Sequence, residues 1–499
     1  MIMRRNISLI VSALLMGTAL NAAVPAQVQV DKLNKKLAEM QKQMEQLQKQ
    51  LKTIVKKQKK TEKKVKKVSK KLNIVKAHDA YDNVKFSLDF RPAIDNISYK
   101  YNDYKYKTSD GVVHDLSGTS AHNPSLLTNR LYLNMKAKPT DKVTFYGSIA
   151  MYGTWGGNQL EHDPSVKDWS ESSKATDNIF RLRQAYVAYA DTLFDGNLPY
   201  TLSVGRRPST TGFLANYRAG DDAPGSPLAH ITNMEVDAAM GQIKFDHYID
   251  FMPGGYLKLV YGRAHTGVQS VYDGIGGYAP YASYHEIDGE KEENVEFFVA
   301  ILNAYDDGQY KLMAQHATIF NTKGARADNT GKKLSAGTAN FEAISFESKG
   351  IGNEINDFLD NTTAFASVAT TYYSPDSGYQ LLGSTDSERG YSYWLGLLIP
   401  DMMTDEGKFG FEFNHGSKYW TPMTWAEDTA VGSKISVRGD AYEGYWNFRF
   451  FGQKNLTGQF RYTYLQHDHT PNIRCSGWVP VKDVDIEAQD VRFYVRYQY

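Results

Sequence analysis

The chain has 499 residues, of which 41% are hydrophobic, and its formal net charge at pH 7 is +1. A mean hydropathy of -0.49, with no run of about 18 apolar residues past the N-terminus, excludes a bundle of membrane-spanning helices. The single cysteine, Cys475, excludes an intramolecular disulfide. The 34 tyrosines and 40 glycines favour β-structure with aromatic belts and many turns.

The N-terminus has the three parts of a secretory signal. Arg4 and Arg5 form the positive end, an apolar core runs from Ile7 to Leu20, and small residues suited to cleavage follow as far as Ala26. A membrane anchor would need a longer apolar run than this. We therefore predict that residues 1–26 are a signal peptide and that the protein is exported.

A heptad repeat occupies residues 30–76. Its seam positions alternate three and four residues apart, with no Pro or Gly between them: Val30, Leu33, Leu37, Met40, Met44, Leu47, Leu51, Ile54, Gln58, Thr61, Val65, Val68, Leu72 and Val75. A seam of this length predicts a coiled coil. Branched residues at several d positions favour a homotrimer over a parallel dimer, and the polar layers of Gln58 and Thr61 would fix its register. A linker at residues 77–83 follows.

The predicted coil is strongly basic. Asp31 to Lys76 contains 17 lysines and 4 acidic residues, whereas the rest of the chain, without the signal arginines, has 38 basic and 52 acidic residues. One interpretation is a solvated helix face. The other is attraction to a polyanion of the cell envelope, such as cell-wall polymer or lipid phosphate. We expect no nucleic-acid partner.

The last twelve residues show the pattern that continues through residues 84–499. One side of this strand carries Val491, Phe493, Val495, Tyr497 and Tyr499, and the other carries Arg492, Tyr494, Arg496 and Gln498. In an outer-membrane barrel the apolar side, including Phe493, Val495, Tyr497 and Tyr499, would meet lipid, and the arginines would face the lumen. In a soluble sandwich the same side would meet a second sheet. One strand alone does not distinguish the two.

The alternation recurs in sixteen segments. They lie near 84–91, 130–137, 143–151, 179–190, 199–207, 234–247, 256–265, 294–304, 309–320, 338–347, 361–373, 390–399, 408–415, 440–451, 456–466 and 488–499. Short connections interleave with long ones such as 92–126 and 208–233, as in bacterial barrels with short periplasmic turns and long external loops. The weakest segment is 338–347, so counts of fourteen or eighteen stay open. We predict an all-β transmembrane antiparallel barrel of about 16 strands, closed by pairing of the first and last strands.

Eight arginines fall on the predicted lumen side, on the first, second, fourth and last three strands, which become neighbours when the barrel closes. They are Arg91, Arg130, Arg181, Arg183, Arg449, Arg461, Arg492 and Arg496. A cationic wall of this kind would orient and select anionic or zwitterionic solutes. The alternative is that they are ordinary polar lumen residues paired with acidic loops.

The third long loop, 208–233, is a candidate constriction. If it folds inward, Asp221 and Asp222 would oppose the arginine wall, and its Gly and Pro residues would shape a compact loop. The alternative is a loop that rests outside the barrel.

Other chemical signals are weak. His467 and His469 fall on one side of an extended segment, but with no third ligand in view we predict no metal site. The sequence contains no nucleophile elbow, phosphate loop or haem-attachment motif, so we expect neither an enzyme nor a bound cofactor.

Three segments resemble a known family. VGRRPSTTGFLANYRAGDD (204–222), LLIPDMMTDEGKFGFEFNHGSKYW (397–420) and WTPMTWAEDT (420–429), together with the signal and the lysine-rich coil, are similar to porin-like outer-membrane proteins of unknown function from epsilonproteobacteria. The resemblance covers most of the chain. It implies the fold and an outer-membrane location, and it implies no particular solute.

The sequence therefore predicts an outer-membrane porin, surrounded by lipid, that passes small hydrophilic solutes by diffusion and has its coiled coil in the periplasm. The alternative is a plugged barrel that serves as a structural envelope tether and contacts the cell wall through the basic coil. A membrane-embedded enzyme and a trimeric adhesin fit less well, because no catalytic grouping stands out and an adhesin chain would contribute only a few strands.

Overall fold

The structure, a computed structural model, describes helical residues between 34 and 68 and most of the chain from residue 84 onward. The described ranges are 34–39, 42, 44–46, 49, 52, 57, 61, 63–64, 66–68, 84–107, 112–155, 180–194, 196–221, 223–225, 227–265, 269–272, 278–284, 286–287, 290–291, 293–329, 334–352, 355–404, 406–424, 429–472 and 477–499. The predicted signal peptide, the linker, Gln58, Asp222 and Cys475 lie outside them.

The chain divides into two units, Met1–Asp79 and Ala80–Tyr499. In the first unit every described residue is helical, and the seam residues Leu37, Met44 and Val68 are 55%, 60% and 63% exposed. Among the described residues, no helix combines the length and apolar composition needed to cross a membrane. The coiled coil and its trimeric state stay predictions.

The second unit contains a closed barrel of sixteen antiparallel strands. In chain order they are β1 Lys85–Asp103, β2 Thr119–Ala137, β3 Val143–Thr154, β4 Arg181–Leu193, β5 Leu198–Ser209, β6 Thr232–Lys244, β7 Tyr256–His265, β8 Val295–Asp306, β9 Tyr310–Phe320, β10 Gly337–Lys349, β11 Thr363–Pro375, β12 Glu388–Pro400, β13 Lys408–Gly416, β14 Gly439–Arg449, β15 Leu456–His469 and β16 Asp483–Gln498. Each strand pairs with its chain neighbours, and β1 pairs with β16, where Phe90 lies opposite Tyr497. The predicted all-β barrel of 16 strands is confirmed.

The weakest predicted segment is a full strand. β10 pairs with β9 from Tyr310↔Ser348 to Ile319↔Ala339 and with β11 along its entire length. The unusually long turn after it contains a short helix, α2 (Asp357–Asp360), whose N-terminal amide at Leu359 is capped by the Asn356 side chain. This capped turn makes room for the extra residues without interrupting the sheet.

Shorter elements lie in the connections. They are the strands Lys105–Lys107, Val113–Asp115, Gln269–Tyr272, Tyr278–Tyr284, Glu286–Ile287, Glu290–Lys291, Lys323–Arg326, Leu334–Ser335, Tyr379–Gln380 and Met423–Thr424, the helix α1 (Ala215–Ala219) and a single 3-10 turn at Phe450–Gly452. The prediction of a loop at 92–126 is wrong over much of its length, since β1 continues to Asp103 and β2 already begins at Thr119. Cross-strand pairing such as Tyr99↔Ala121 extends this hairpin beyond the first predicted segments.

Side chains alternate between the inside and the outside of the barrel. On β16, Arg492, Tyr494 and Arg496 are buried, whereas Val491 is 53% exposed and Tyr497 36%. Other outward side chains are apolar and exposed on strands around the barrel, among them Val204, Ile344, Val368, Leu395, Phe411 and Phe460. Because the sheet is closed, it has no free strand edge. The apolar outer face is therefore the surface that the barrel wall presents to its surroundings.

The barrel has two different rims. Short turns and both ends of the barrel chain, the start of β1 and the end of β16, lie at one rim, which we call the short-turn rim. The long connections, which include residues 210–231 and 417–438, emerge at the opposite, long-loop rim. Because β1 begins and β16 ends at the short-turn rim, Asp89 and Arg496 lie in that half of the lumen.

Candidate functional site

Residues 210–231, called here the first inward loop, cross the lumen. At one side Gln459 Nε2 and Arg496 Nη1 donate hydrogen bonds to the carbonyls of Arg218 and Ala219, at 2.6 and 3.0 Å. At the other side the ring of Tyr217 stacks on Phe365 of β11 with centroids 5.8 Å apart. The loop is therefore anchored to opposite parts of the wall.

The two limbs of the first inward loop approach closely. A Cβ on Gly212 would lie 2.3 Å from the Pro227 carbonyl oxygen, and one on Gly225 would lie 2.7 Å from the Thr210 carbonyl oxygen. Only glycine avoids these clashes, so both positions close the loop into a compact unit. A hydrogen bond also attaches the loop to the wall: the N–H of the fully buried Leu228 donates to the side-chain oxygen of Gln315 on β9 at 2.8 Å.

His230 fastens the same loop to the wall. Its two ring nitrogens lie 2.7 Å from the Ser367 hydroxyl and 2.9 Å from the Ser392 hydroxyl. Burial lowers the pKa of His230 to about 3. The ring is therefore neutral at pH 7, with one nitrogen as donor and the other as acceptor, which the two serine hydroxyls can satisfy.

Residues 417–438, the second inward loop, also enter the barrel. Trp420 is fully buried and its Nε1 donates to the Ile435 carbonyl at 2.8 Å, while Arg438 donates to the carbonyls of Trp420 and Thr470 at 2.9 and 2.7 Å. Met423 pairs in parallel with Thr232, at the end of the first inward loop. The two inward loops thus form one packed insert.

Glu443 of β14 joins both inward loops to the wall. Its carboxylate forms ion pairs with Lys434 of the second loop and, at 3.5 Å, with Arg218 of the first loop. Thr463 donates to it at 2.8 Å, and Arg461 lies 3.8 Å away. Since Glu443 is 4% exposed, these contacts supply most of the stabilisation of its charge.

An arginine-lined cavity of about 290 Å³, the arginine chamber, remains between the first inward loop and strands near the closure of the barrel. The guanidinium groups that line it belong to Arg91, Arg130, Arg183, Arg218, Arg461 and Arg496. Two carboxylates, those of Asp89 and Asp221, line it as well. The lining therefore carries four more positive than negative charges. The protein wall around the chamber has a low dielectric constant, which strengthens the field of these charges.

Asp89 and Arg496 organise one side of the chamber. Asp89 accepts hydrogen bonds from Arg130 at 2.9 Å and from Arg496 at 2.6 and 3.0 Å. Arg496 also donates to Asp221 of the first inward loop at 2.9 Å. One arginine at the closing strand thus connects β1, β16 and the inward loop.

Tyrosine rings hold other guanidinium groups in place. Arg130 and Arg183 both lie over the ring of Tyr132, at 4.4 and 4.3 Å, and Arg91 lies 5.1 Å from the ring of Tyr494. Arg183 is also fixed by Glu235 at 2.9 Å. Guanidinium groups held in this way keep their orientation without a carboxylate opposite each one.

Five of the eight arginines singled out in the sequence line the chamber, namely Arg91, Arg130, Arg183, Arg461 and Arg496. Arg492 is fully buried and lies 3.3 Å from Asp95 on the adjacent strand. Arg181 is exposed on β4, opposite Ala150, and Arg449 forms an ion pair with Glu406 in the turn before β13. These last three arginines do not line the chamber.

The structure also places the remaining predicted residues. Asp221 lines the chamber, and Tyr499 pairs with Leu88 through backbone hydrogen bonds of 2.8 and 2.9 Å. His469 lies 3.0 Å from Asp483, while His467 is buried. In the described ranges no three His, Cys, Asp or Glu side chains are arranged to hold a metal ion.

Sequence reasoning missed Asp89 and Arg218 as chamber residues. Asp89 alternates with Arg91 on the polar side of β1, so the strand pattern already contained the signal. Arg218 lies on α1, within a loop, where no periodicity indicates which way a side chain points. Its role depends on a loop contact that alternation does not encode.

The family of the chain follows from its sequence over residues 120–496, which match the model of a family described as "Protein of unknown function (DUF3373)". The chain belongs to the DUF3373 family. The predicted resemblance to a barrel family of unknown function is thereby confirmed, whereas an epsilonproteobacterial origin stays a prediction. No curated protein matches this DUF3373 sequence.

Solved structures similar to this DUF3373 chain include several barrels. OprB of Pseudomonas putida at high pH is 12% identical, with a TM-score of 0.43, covering 85% of this chain and 96% of that one. An anion-selective porin from Comamonas acidovorans is 12% identical, with a TM-score of 0.41, covering 84% and 100%. The trimer form of OmpT, an outer-membrane protein of Vibrio cholerae, is 11% identical, with a TM-score of 0.40, covering 84% and 99%.

Proposed function

We propose that this protein is an outer-membrane channel of the porin type, which passes small hydrophilic solutes by diffusion and favours anions among them. The closed sixteen-stranded barrel with exposed apolar side chains supports a location in lipid. The observation that carries the proposal is the arginine chamber, in which six guanidinium groups and two carboxylates line one cavity of about 290 Å³.

Preference for anions follows from the charges of the chamber. An anion that leaves water loses hydration, and guanidinium groups held by tyrosine rings and by the wall replace it without reorganising. A cation would meet the excess positive charge of the same lining. Asp89 and Asp221 moderate this field, so an anion can leave the chamber again, which conduction requires.

Replacing Arg91 or Arg496 by Gln should shift the reversal potential of the channel towards cation permeation. We expect Arg496→Gln to have the larger effect, because it removes a cation and also uncovers the Asp89 and Asp221 carboxylates. The anion-to-cation permeability ratio should fall roughly threefold. This is the change expected when the electrostatic energy of an ion in the chamber changes by about one kT. Planar-bilayer recordings in a salt gradient measure this ratio.

Arg206→Gln is the matched control, since Arg206 pairs with the exposed Asp237 at 3.2 Å and does not line the chamber. Its reversal potential should equal that of the unchanged protein. Equal reversal potentials for all three variants would remove the selective role of the chamber, and a folded protein without channel activity would remove the channel itself.

For the N-terminal unit we propose a trimeric coiled coil in the periplasm. Leu37, Met44 and Val68 lie on the heptad seam and are more than half exposed in the single chain, so helices of further copies would bury them. The coil would hold three copies of the chain together. Its lysines would give the same element a means of contacting anionic cell-wall polymer.

The second candidate function is a structural envelope tether. It is favoured by the packed insert of two loops, which fills much of the lumen. Deleting residues 30–76 separates the two functions: loss of the trimer in light scattering and of envelope integrity, with solute uptake unchanged, would favour the tether. Loss of uptake together with the trimer would favour a channel that works as an assembly. The deletion variant keeps residues 1–26 so that its export is unchanged, and the full-length chain is the control.

A further inference from the structure

A second cavity lies on the other side of the first inward loop, away from the arginine chamber. It has a volume of about 40 Å³ and is bordered by the inner faces of β6 to β9, by Pro227 of the first inward loop and by Met423 of the second. Its walls are apolar, with Val236, Val260 and Ile301 among them. Unlike the chamber, it contains no tyrosine and no amide side chain among its described lining residues.

Two cations interrupt this apolar lining. Lys258 of β7 is only 6% exposed, and Arg207 of β5 has a buried Nη1 atom without a hydrogen-bond partner in the described part of the chain. Both cations lie over aromatic rings: Lys258 is 5.5 Å from the ring centre of Tyr256, and Arg207 is 4.9 Å from that of Tyr186. No acidic residue appears among the described residues that line the cavity.

A buried ammonium group without a carboxylate is costly, because ring contacts replace only part of the lost hydration. The nearby Lys311 does not reduce this cost: it is itself a cation, and its own partner is Asp306 at 3.0 Å. A negative charge brought by a bound molecule would offset this cost. The apolar walls fit the rest of a molecule that brings this charge on one end only.

We infer that this cavity binds a short-chain monocarboxylate of two to four carbons, with its carboxylate between Lys258 and Arg207 and its alkyl chain against the methionine-lined wall. The small volume admits a carboxylate only if its tail is short. Met234, Met240 and Met423 border the cavity, and their flexible side chains adjust to tails of different length.

The same geometry excludes two other ligand classes. A dicarboxylate would place its second charge against apolar side chains without a hydrogen-bond donor, which is strongly unfavourable. An alkylammonium ion of equal size would meet the charges of Lys258 and Arg207. The site therefore differs from the proposed channel region, whose polar lining gives no reason to prefer a monocarboxylate over a dicarboxylate.

Calorimetric titration of the intact, folded protein in detergent with sodium butyrate tests this inference. We expect saturable binding of one butyrate per chain, binding of succinate that is at least tenfold weaker, and no binding of n-butylammonium. Lys258→Met should weaken butyrate binding at least tenfold, whereas Lys244→Met, which removes an exposed lysine from the neighbouring β6, should leave it unchanged.

Thermal unfolding gives a second readout. Butyrate should raise the unfolding temperature of the unchanged protein but not that of Lys258→Met, and Lys258→Met should be at least as stable as the unchanged protein when no butyrate is present. If Lys258→Met does not fold, Val260→Phe, which fills the cavity and keeps both charges, should abolish binding instead. Absence of saturable butyrate binding, or equal binding by the cavity variants, would overturn the inference whatever the conductance of the channel.

Discussion

Replacing residues 417–438 by a four-residue glycine-rich turn should raise the single-channel conductance several-fold. β13 and β14 remain paired as far as Gly416↔Gly439, so a tight turn can join them without altering the barrel. The replacement removes Trp420 and Ile435, both fully buried, from the lumen. A sixteen-stranded barrel without such an insert leaves an aqueous channel.

The second inward loop also packs against the barrel wall on the side of the long-loop rim. Val431 packs there in a cluster with Ile97 and Leu465, and its carbonyl accepts a hydrogen bond from Tyr99 at 3.1 Å. Removing this layer should give solutes a wider path to the arginines. Planar-bilayer recordings at equal salt on both sides measure the effect.

A variant in which the hairpin of Lys105–Lys107 and Val113–Asp115 is shortened serves as the control. These two strands pair with each other outside the main barrel sheet. The conductance of this variant should therefore equal that of the unchanged protein. Circular dichroism and heat-dependent electrophoretic mobility would show that both variants form barrels. A folded variant with unchanged conductance would mean that the second inward loop does not limit the flow of ions.

Glu443→Gln should destabilise the packed insert by about 3 kcal/mol, the typical cost of removing one partner from a buried ion pair. Lys434, 3% exposed, would keep its ion pair with Glu412 at 2.6 Å but lose the one with Glu443, and Arg218 would lose its ion pair at 3.5 Å. Both inward loops should therefore loosen together. Hydrogen exchange at the amides of residues 213–231 and 429–438 measures this, and exchange should accelerate in both loops.

Adding Lys434→Met to Glu443→Gln should lower stability further, because the buried Glu412 carboxylate then loses its ammonium partner at 2.6 Å. Glu296→Gln is the control: Glu296 pairs with the exposed Arg263 at 2.8 Å, and its loss should change stability by less than about 0.5 kcal/mol. Faster exchange in one loop only would show that Glu443 does not couple them.

The strands could be predicted because a barrel wall imposes the same two-residue period everywhere. Even 338–347 proved to be a strand, since its alternation is supported by two neighbours along its whole length. The extent of β1 and β2 was underestimated, because the sequence beyond Arg91 contains Pro92 and polar residues that resemble a loop, whereas pairing with β16 continues to Asp103. Pairing across the closed barrel is not visible in a single segment.

The candidate site was only partly predictable. The side of the sheet on which Arg91, Arg130 and Arg496 lie follows from alternation, and so do the carboxylates of Asp89 and Asp490 beside them. Which arginines surround the same cavity depends on how deep the first inward loop reaches. That depth is set by contacts such as Gln459 to the Arg218 carbonyl, between residues 241 positions apart in sequence.

The pairing of β1 with β16 makes closure of the barrel depend on the last residues of the chain. Tyr499 pairs with Leu88, and Arg496 forms an ion pair with Asp89, so one edge of β1 stays unpaired until β16 is in place, while its other edge pairs with β2. A chain that stops a dozen residues early would leave an open strand edge and would leave the Asp89 carboxylate with Arg130 but without Arg496.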